Sequence, residues 1–142
     1  MVSNTKLGNS FNSVSKSYDR YRPDYPQKLI DDIILYSGIQ ESSNILEIGT
    51  GSGLASEYFL SKGFKLTMLD ISKKLIIIAK NKFKKYKDTK YIINSFEKTR
   101  LPSKNFDLIF SAQAFHWLDQ ELSFKKPINY LERVGLWRFF GT

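Results

Sequence analysis

The chain of 142 residues contains no cysteine and only one histidine, His116. The absence of cysteine excludes a disulfide framework, a thiolate nucleophile and a thiolate metal site. A single histidine also argues against a metal centre. We therefore expect no metal in this protein.

Long hydrophobic runs are missing as well. The longest aliphatic run, residues 75–79, is far too short to span a bilayer. The first fifteen residues are polar and lack the apolar stretch of a secretory signal. We expect a cytoplasmic protein without membrane contacts, and the length gives room for one domain with one core.

The net charge of +8 needs an explanation, because phosphate contacts make basic proteins candidates for nucleic-acid binding. Eight of the 22 cationic residues are lysines within residues 73–90, however, and most would lie on the outer face of one helix. Arginine, the better reader of bases and phosphates, occurs only five times. A solvated lysine-rich face is the favoured interpretation, and RNA or an anionic small molecule stays open as a substrate.

The spacing of apolar residues changes near residue 40. Before it, helical spacing predicts one helix over 11–22 and a second one that follows Asp24 and stops at Gly38. After it, short apolar runs alternate with helical segments, which predicts a doubly wound α/β fold: a mostly parallel sheet with helices on both faces. The predicted strands cover 44–48, 64–69, 91–93 and 106–110, and the predicted helices between them cover 54–62 and 72–87.

A glycine-rich turn follows the first predicted strand, with Gly49, Gly51 and Gly53 in the sequence Ile-Gly-Thr-Gly-Ser-Gly. Glycines remove the side chains that would keep a ligand from the backbone, and ligands of open α/β sheets bind beyond the carboxyl ends of the strands. Asp70 ends the second predicted strand, and its carboxylate can accept both hydroxyl hydrogens of a ribose. A merely structural turn, with Asp70 starting a helix, is the alternative; the combination favours a nucleotide site.

The spacing of the glycines distinguishes between nucleotides. A dinucleotide fingerprint would have its third glycine at position 54, which is a leucine here. The third glycine is Gly53, and Glu47 lies within the strand two residues before the turn. The resulting pattern, E-x-G-x-G-x-G, resembles motif I of class I methyltransferases, so nicotinamide binding is less favoured.

From residue 11 to about residue 119 the chain resembles the type 11 group of small-molecule methyltransferases. Beside motif I, this resemblance depends on an N-terminal segment (11–26) similar to YD-x-x-RP-x-YP, on Leu-Asp-Ile-Ser (69–72), on Asn-Ser-Phe-Glu (94–97), and on 106–117. It implies the Rossmann-like class I methyltransferase fold, S-adenosylmethionine as the cofactor and a small-molecule methyl acceptor.

The resemblance also implies which residues bind the cofactor. The glycine turn would face its methionyl part, with Glu47 helping to fix that region, and Asp70 would hold the ribose. Others would border the adenine, lie near the methyl group, or come from an N-terminal lid. The set is Tyr18, Arg22, Glu47, Gly49, Thr50, Gly51, Gly53, Asp70, Ile71, Ser95, Phe96, Ser111 and Gln113.

Several of these residues have a structural alternative. Tyr18 can pack on the sheet edge, Arg22 can form a surface ion pair instead of binding the cofactor carboxylate, and Phe96 can belong to the core. His116 is the one residue whose ordinary pKa suits a general base near neutrality, which makes it the candidate catalytic residue. It can equally be structural, packed beside Trp117 in an aromatic group that lines the acceptor pocket.

We predict a single methyltransferase domain over 1–142, with a helical lid over 1–40 and an α/β core over 41–142. Residues 119–133 predict a further helix that Pro127 should break or kink and Gly135 should end, and 136–140 predict a fifth strand. The family fold usually has seven strands, so we expect a fold truncated after about strand five, and an open edge through which a homodimer could form.

Two other functions stay open. One is a binding module that keeps cofactor affinity without turnover, which the two missing strands favour. The other is an RNA methyltransferase, which the charge suggests. Against it, the position after the fourth strand reads Ser-Ala-Gln-Ala (111–114) rather than Asn-Pro-Pro-aromatic.

Overall fold

The computed structural model describes residues 26–112 and 120–140. The predicted helix over 11–22 and the cap at Asp24 lie outside the described residues. Nine elements follow one another: α1 (Gln27–Ser37), β1 (Asn44–Ile48), α2 (Leu54–Ser61), β2 (Lys65–Asp70), α3 (Lys73–Lys82), β3 (Lys90–Ile93), β4 (Phe106–Ala112), α4 (Gln120–Tyr130) and β5 (Leu131–Phe140).

The five described strands form one parallel sheet in the order β3-β2-β1-β4-β5. The chain moves outward from β1 to β3 and then returns to add β4 on the other side of β1. Because all the strands are parallel, their carboxyl ends meet at one edge, which we call the carboxyl edge. This sheet confirms the predicted doubly wound α/β fold.

The two faces of the sheet are covered differently. On one, the helix face, α1, α2 and α3 bury apolar side chains such as Ile30, Phe59 and Ala79 against Ile45 and Phe110 of the sheet. Helix α1 therefore packs on the core, although it falls within the segment predicted as a lid. Gly38, in the left-handed conformation, ends α1 as predicted.

The other face is covered mainly by residues 94–105, which link β3 to β4 and which we call the crossover segment. Leu46, Ile48 and Ile109 of the sheet meet Phe96 of this segment. Helix α4 lies on the same face, where Tyr130 packs against this cluster. Helices thus cover both faces of the sheet, as predicted.

Three predicted features of the helices differ from the structure. Helix α3 ends at Lys82 rather than Lys87, because the Tyr86 amide donates to the Phe83 carbonyl in a turn (2.9 Å) that brings both rings onto the core. Helix α4 continues through Pro127, whose ring is buried, so the expected break does not occur.

The third difference is the end of α4. This helix ends at Tyr130 rather than at Gly135, because the Asn129 and Tyr130 carbonyls accept hydrogen bonds from the crossover segment (3.1 and 2.9 Å). Residue 131 already pairs with β4, and a register shift accommodates the residues up to 136, so Gly135 lies within β5.

None of the helices within these described ranges is long and apolar enough to cross a membrane.

Candidate cofactor site

The glycine turn lies at the carboxyl edge, where β1 ends beside β2. The amides of Gly49 and Thr50 both donate to the Leu69 carbonyl, at 2.8 and 3.1 Å, and the Gly53 amide donates to the Thr50 carbonyl at 3.0 Å. These bonds hold the turn against the end of β2. The loop between β1 and α2 is therefore fixed by backbone geometry.

Asp70 joins this turn to the next helix. Its Oδ2 accepts the Gly51 amide and its Oδ1 accepts the Ser72 amide, both at 2.8 Å. Ser72 in turn caps α3, because its hydroxyl accepts the Leu75 amide. Burial raises the pKa of Asp70, and the amides of Ser72, Gly51 and Ile71 oppose that shift by stabilising the carboxylate.

Two glycines of the turn have different reasons to be glycine. At Gly53, where φ is +93°, a Cβ would overlap the ring of Phe83, with Phe83 Cζ only 2.9 Å away, so this position serves the packing of the turn on α3. At Gly51, where φ is +58°, a Cβ would meet no heavy atom within 4 Å, although the residue is buried. Of these two, Gly51 therefore borders open space.

Glu47 supports the turn from the helix face. Its carboxylate is 1% exposed and accepts a hydrogen bond from the Ser56 hydroxyl of α2. The Ser56 hydroxyl lies 3.0 Å from the Thr50 hydroxyl, so a buried polar chain runs from β1 through α2 to the glycine turn. Glu47 thus braces the glycine turn through protein contacts. Its predicted role toward the methionyl part of the cofactor stays a prediction.

The residues predicted to border the adenine follow β2 and β3. The Asn94 amide donates to the Asp70 carbonyl at 3.0 Å, which brings the start of the crossover segment beside Asp70. Ser95 and Ile71 are half-buried there. The ring of Phe96 is 1% exposed and belongs to the core.

Ser111 is fully buried in β4, and its hydroxyl donates to the Ile48 carbonyl at 2.9 Å. This bond supports the end of β1 from the neighbouring strand. The remaining predicted site residues, Tyr18, Arg22, Gln113 and His116, lie outside the described residues.

Two polar residues that support the loops around this site were missed. Ser56 completes the chain between Glu47 and Thr50, and Lys126 of α4 donates to three carbonyls of the crossover segment. Neither has a local sequence signal, because each acts on residues distant in the chain. Only the tertiary fold reveals them.

The opposite, amino edge of the sheet carries a cavity of about 330 Å³. It lies between the starts of β1, β2, β3 and β4, and its lining includes Lys65, Lys87, Lys90 and Asp88. All eight lysines within residues 73–90 are exposed, but only four of them lie on α3, so the expectation that most would occupy one helix face is wrong. Ligands of open α/β sheets bind at the carboxyl edge, so this cavity is separate from the site predicted by sequence.

Across the described parts of the chain, no three histidine, cysteine, aspartate or glutamate side chains are grouped as metal ligands would be.

Comparison with known proteins identifies the family. A family model described as a methyltransferase domain, of type 11, matches residues 46–136. The chain belongs to the type 11 methyltransferase family. The match includes the glycine turn, Asp70 and the four strands that position them, and it confirms the predicted membership among class I methyltransferases that depend on S-adenosylmethionine.

Similar proteins include a curated relative and two solved structures. Malonyl-[acyl-carrier protein] O-methyltransferase 2 of Ilyobacter polytropus is 33% identical over 145 residues, which cover 100% of this chain and 55% of that protein. A structure described as a putative S-adenosyl-L-methionine-dependent methyltransferase of Methanococcus maripaludis superposes with a TM-score of 0.75 at 23% identity, covering 96% of this chain and 63% of that one.

The second structure, the [4+2]-cyclase SpnF, superposes with a TM-score of 0.77 at 13% identity, covering 92% of this chain and 57% of that chain. At this identity the likeness concerns the fold alone. Because a protein described as a cyclase shares the fold, the fold by itself does not determine the reaction. The chain spans about half the length of the curated relatives that it matches.

Proposed function

We propose that this chain binds S-adenosylmethionine at the carboxyl edge and transfers its methyl group to a small-molecule acceptor. The observation that carries the proposal is the pairing of Asp70 with Gly51. A buried carboxylate at the end of β2 holds the amide of a glycine whose missing side chain leaves open space. Both residues belong to the segment that matches the family.

The donor and acceptor groups at this edge suit the cofactor. The Asp70 carboxylate accepts the amides of Gly51 and Ser72, and the Ile71 amide also stabilises it. A carboxylate has about four lone-pair sites, so one remains for a ribose hydroxyl. The turn around Gly49, Thr50 and Gly51 would hold the methionyl part. Ile71 and the backbone of Ser95 and Phe96 would border the adenine.

The chemistry asks little more of the protein than alignment. S-adenosylmethionine supplies a methyl group already activated by its sulfonium, and the protein must hold an acceptor atom in line with it. Positioning of this kind can lower the activation free energy by several kcal/mol, on the order of 7 kcal/mol or more in favourable cases. The predicted residues for the acceptor side, Gln113 and His116, stay predictions, as do Tyr18 and Arg22 of the lid.

A carboxylate is the acceptor class that we favour. The Ilyobacter relative is described as a malonyl-[acyl-carrier protein] O-methyltransferase. All of this chain aligns with it, over 55% of the relative's length. Carboxylates have an ordinary pKa near 4 and are ionised at neutral pH, so such an acceptor needs no general base. His116 would then be a pocket residue, whereas an acceptor with a weakly acidic proton would require a base.

Calorimetry with S-adenosylhomocysteine and with NAD tests the cofactor proposal. We expect the adenosyl ligand to bind and Asp70→Ala to weaken it by about 100-fold or more, since hydrogen bonds to a charged group contribute about 1.5–3 kcal/mol each. Asp107→Ala is the matched control. Asp107 also accepts a backbone amide, that of Asn44 at 2.8 Å, but at the amino edge. Binding of NAD alone would contradict the proposal.

Methyl transfer itself is tested by incubating the chain with radiolabelled S-adenosylmethionine and short dicarboxylic acids or their thioesters. Transfer to a carboxylate gives a methyl ester that releases methanol in mild base. In that case His116→Ala should still transfer the methyl group, because no proton has to be removed from the acceptor. A loss of turnover in His116→Ala, with cofactor affinity kept, would instead assign the general-base role to this residue.

One observation supports a second candidate, a cofactor-binding module without methyl transfer. The fold is also that of a protein described as a cyclase. Tight binding of S-adenosylhomocysteine without transfer to any acceptor class would favour it. RNA as the acceptor, pairing of two copies through β5 and a cytoplasmic location stay predictions from the sequence.

A further inference from the structure

The crossover segment begins with a turn whose carbonyl groups converge. The Thr99 amide and hydroxyl both donate to the Ser95 carbonyl, at 3.1 and 2.6 Å. The backbone therefore folds back on itself directly after the residues predicted to border the adenine. The Thr99 amide also lies 3.3 Å from the Phe96 carbonyl. The carbonyls of residues 96, 97 and 99 all contact α4.

Lys126 of α4 donates to all three of these carbonyls. Its Nζ lies 2.5 Å from the Phe96 carbonyl, 3.0 Å from the Glu97 carbonyl and 2.6 Å from the Thr99 carbonyl. A lysine ammonium has three N–H groups, and each finds one acceptor here. The same Nζ lies 4.9 Å from the centroid of the Phe96 ring, within the range of a cation–π contact.

This geometry differs from that of the neighbouring lysine. Lys125 is exposed and pairs with Glu121 one helical turn away, at 2.9 Å. Lys126 is half-buried, and its contacts lie 27 to 30 residues away in the sequence. Desolvation lowers the pKa of Lys126, an effect that the charge of Glu97 opposes and that of Arg100 reinforces.

We propose that Lys126 is a positioning residue for the adenine side of the cofactor site: it fixes the backbone of residues 95–99 so that this backbone can recognise the adenine edge. The inference depends on the proposed function, because it assumes that an adenosyl ligand binds at Asp70. Lys126 itself does not touch the ligand. It acts through its hydrogen bonds to the three carbonyls, which connect α4 to the turn.

The turn is also connected to the ribose position. The Asn94 amide donates to the Asp70 carbonyl, so residues 94 and 95 start directly beside the predicted ribose ligand. A turn that is free to move at residues 96–99 would leave the ribose contact in place and lose the adenine contact. Loss of Lys126 should therefore reduce base discrimination more than it reduces ribose binding.

The test compares Lys126→Met with Lys125→Met in the full chain, using two probes: S-adenosylhomocysteine and S-inosylhomocysteine, which differ only at the purine edge. We expect the unaltered chain and Lys125→Met to prefer the adenosyl compound by the same factor. Lys126→Met should bind it about 10 to 30 times more weakly and lose most of that preference. Equal weakening of both probes, with the preference kept, would mean that Lys126 is only structural.

A second variant keeps the test decisive if Lys126→Met does not fold. Thr99→Val removes the hydroxyl that donates to the Ser95 carbonyl and loosens the same turn while leaving the ammonium in place. Thr99→Val should reduce the preference for S-adenosylhomocysteine over S-inosylhomocysteine, by a smaller factor than Lys126→Met does. A preference unchanged in Thr99→Val as well would overturn the positioning role.

Amide hydrogen exchange separates this inference from the proposed function. Lys126→Met should accelerate exchange at residues 95–99 and leave that at β2 unchanged. If the unaltered chain binds neither probe, both the cofactor proposal and this inference fail. If it binds and Lys126→Met behaves like Lys125→Met, only the positioning role fails.

Discussion

The two faces of the sheet are stabilised in different ways. On the helix face, fifteen buried apolar residues from α1, α2, α3 and the strands form one cluster. On the crossover face the described cluster contains six, and the segment above them is irregular and held by the ammonium of Lys126. The helix face therefore resembles an ordinary core, whereas the crossover face depends on polar contacts that a few atoms provide. We expect damage to the first to appear as lost stability and damage to the second as altered ligand recognition.

The largest effect should come from Phe59→Ala on the helix face. Phe59 is fully buried, with its ring centroid 4.8 Å from that of Phe110 and 6.1 Å from that of Phe64. Removing such a ring should lower the free energy of unfolding by about 3–5 kcal/mol, measured by urea denaturation. Ile77→Ala, at a residue 46% exposed, is the control and should change little. A loss below about 1 kcal/mol for Phe59→Ala would contradict a close-packed helix face.

Gly53→Ala should come next. The new methyl group would overlap the Phe83 ring, costing about 1–3 kcal/mol, and the positive φ adds about 1–2 kcal/mol. Gly51→Ala should carry only the second cost and should lose affinity for S-adenosylhomocysteine, because its methyl group enters the open space. If the two variants were equally unstable, the packing role of Gly53 would be wrong. Thermal unfolding and calorimetry measure the two properties.

The next prediction concerns Asp70 at the carboxyl edge and is tested by measuring ligand affinity as a function of pH. Burial raises its pKa, so its carboxylate takes up a proton at a higher pH than an ordinary aspartate does. Ribose binding uses the ionised form. Affinity for S-adenosylhomocysteine should therefore fall as the pH drops through this raised pKa, by about tenfold per unit below it.

The stability of the free protein has the opposite dependence on this group. Because the folded state favours the protonated carboxyl, the contribution of Asp70 to stability is fully present below the pKa of the unfolded chain and is lost as the pH rises through the folded pKa. In Asp70→Asn the residual ligand affinity should no longer vary with pH. An unchanged profile in that variant would assign the titration to another group.

The smallest effect should come from Lys82→Met. Lys82 pairs with Glu57 at 2.9 Å and links α3 to α2, but the two side chains are 34% and 56% exposed. Exposed ion pairs of this kind contribute about 0–1 kcal/mol. A loss above about 2 kcal/mol in urea denaturation would mean that charge, and not apolar packing, holds the helix face together.

The sequence predicted the helix face more completely than the crossover face. The bounds of β1 were predicted to the residue, and Leu75, Ile76 and Ala79 were predicted inward and are buried. Period and burial are local properties that the sequence carries directly. The Asp70 and Gly51 contact could likewise be anticipated, because parallel strands bring their carboxyl ends together.

What the sequence could not predict depends on distant partners. Lys126 is one of seventeen lysines, and its role exists only because α4 lies against a turn almost thirty residues earlier in the chain. Ser56 is part of the site because helix α2 brings its hydroxyl to Glu47. The end of α4 was misplaced at Gly135 for the same reason: carbonyls paired with the crossover segment stop the helix earlier.

The hydrogen bond between the Gly51 amide and Asp70 has a thermodynamic consequence for any ligand of this edge. The glycine turn after β1 becomes ordered when the chain folds, so the entropy cost of ordering it belongs to folding and not to ligand binding. An incoming adenosyl compound then has to immobilise little besides itself, and more of its contact energy is available as affinity. Because the turn is rigid, it cannot adjust to a ligand of a different shape.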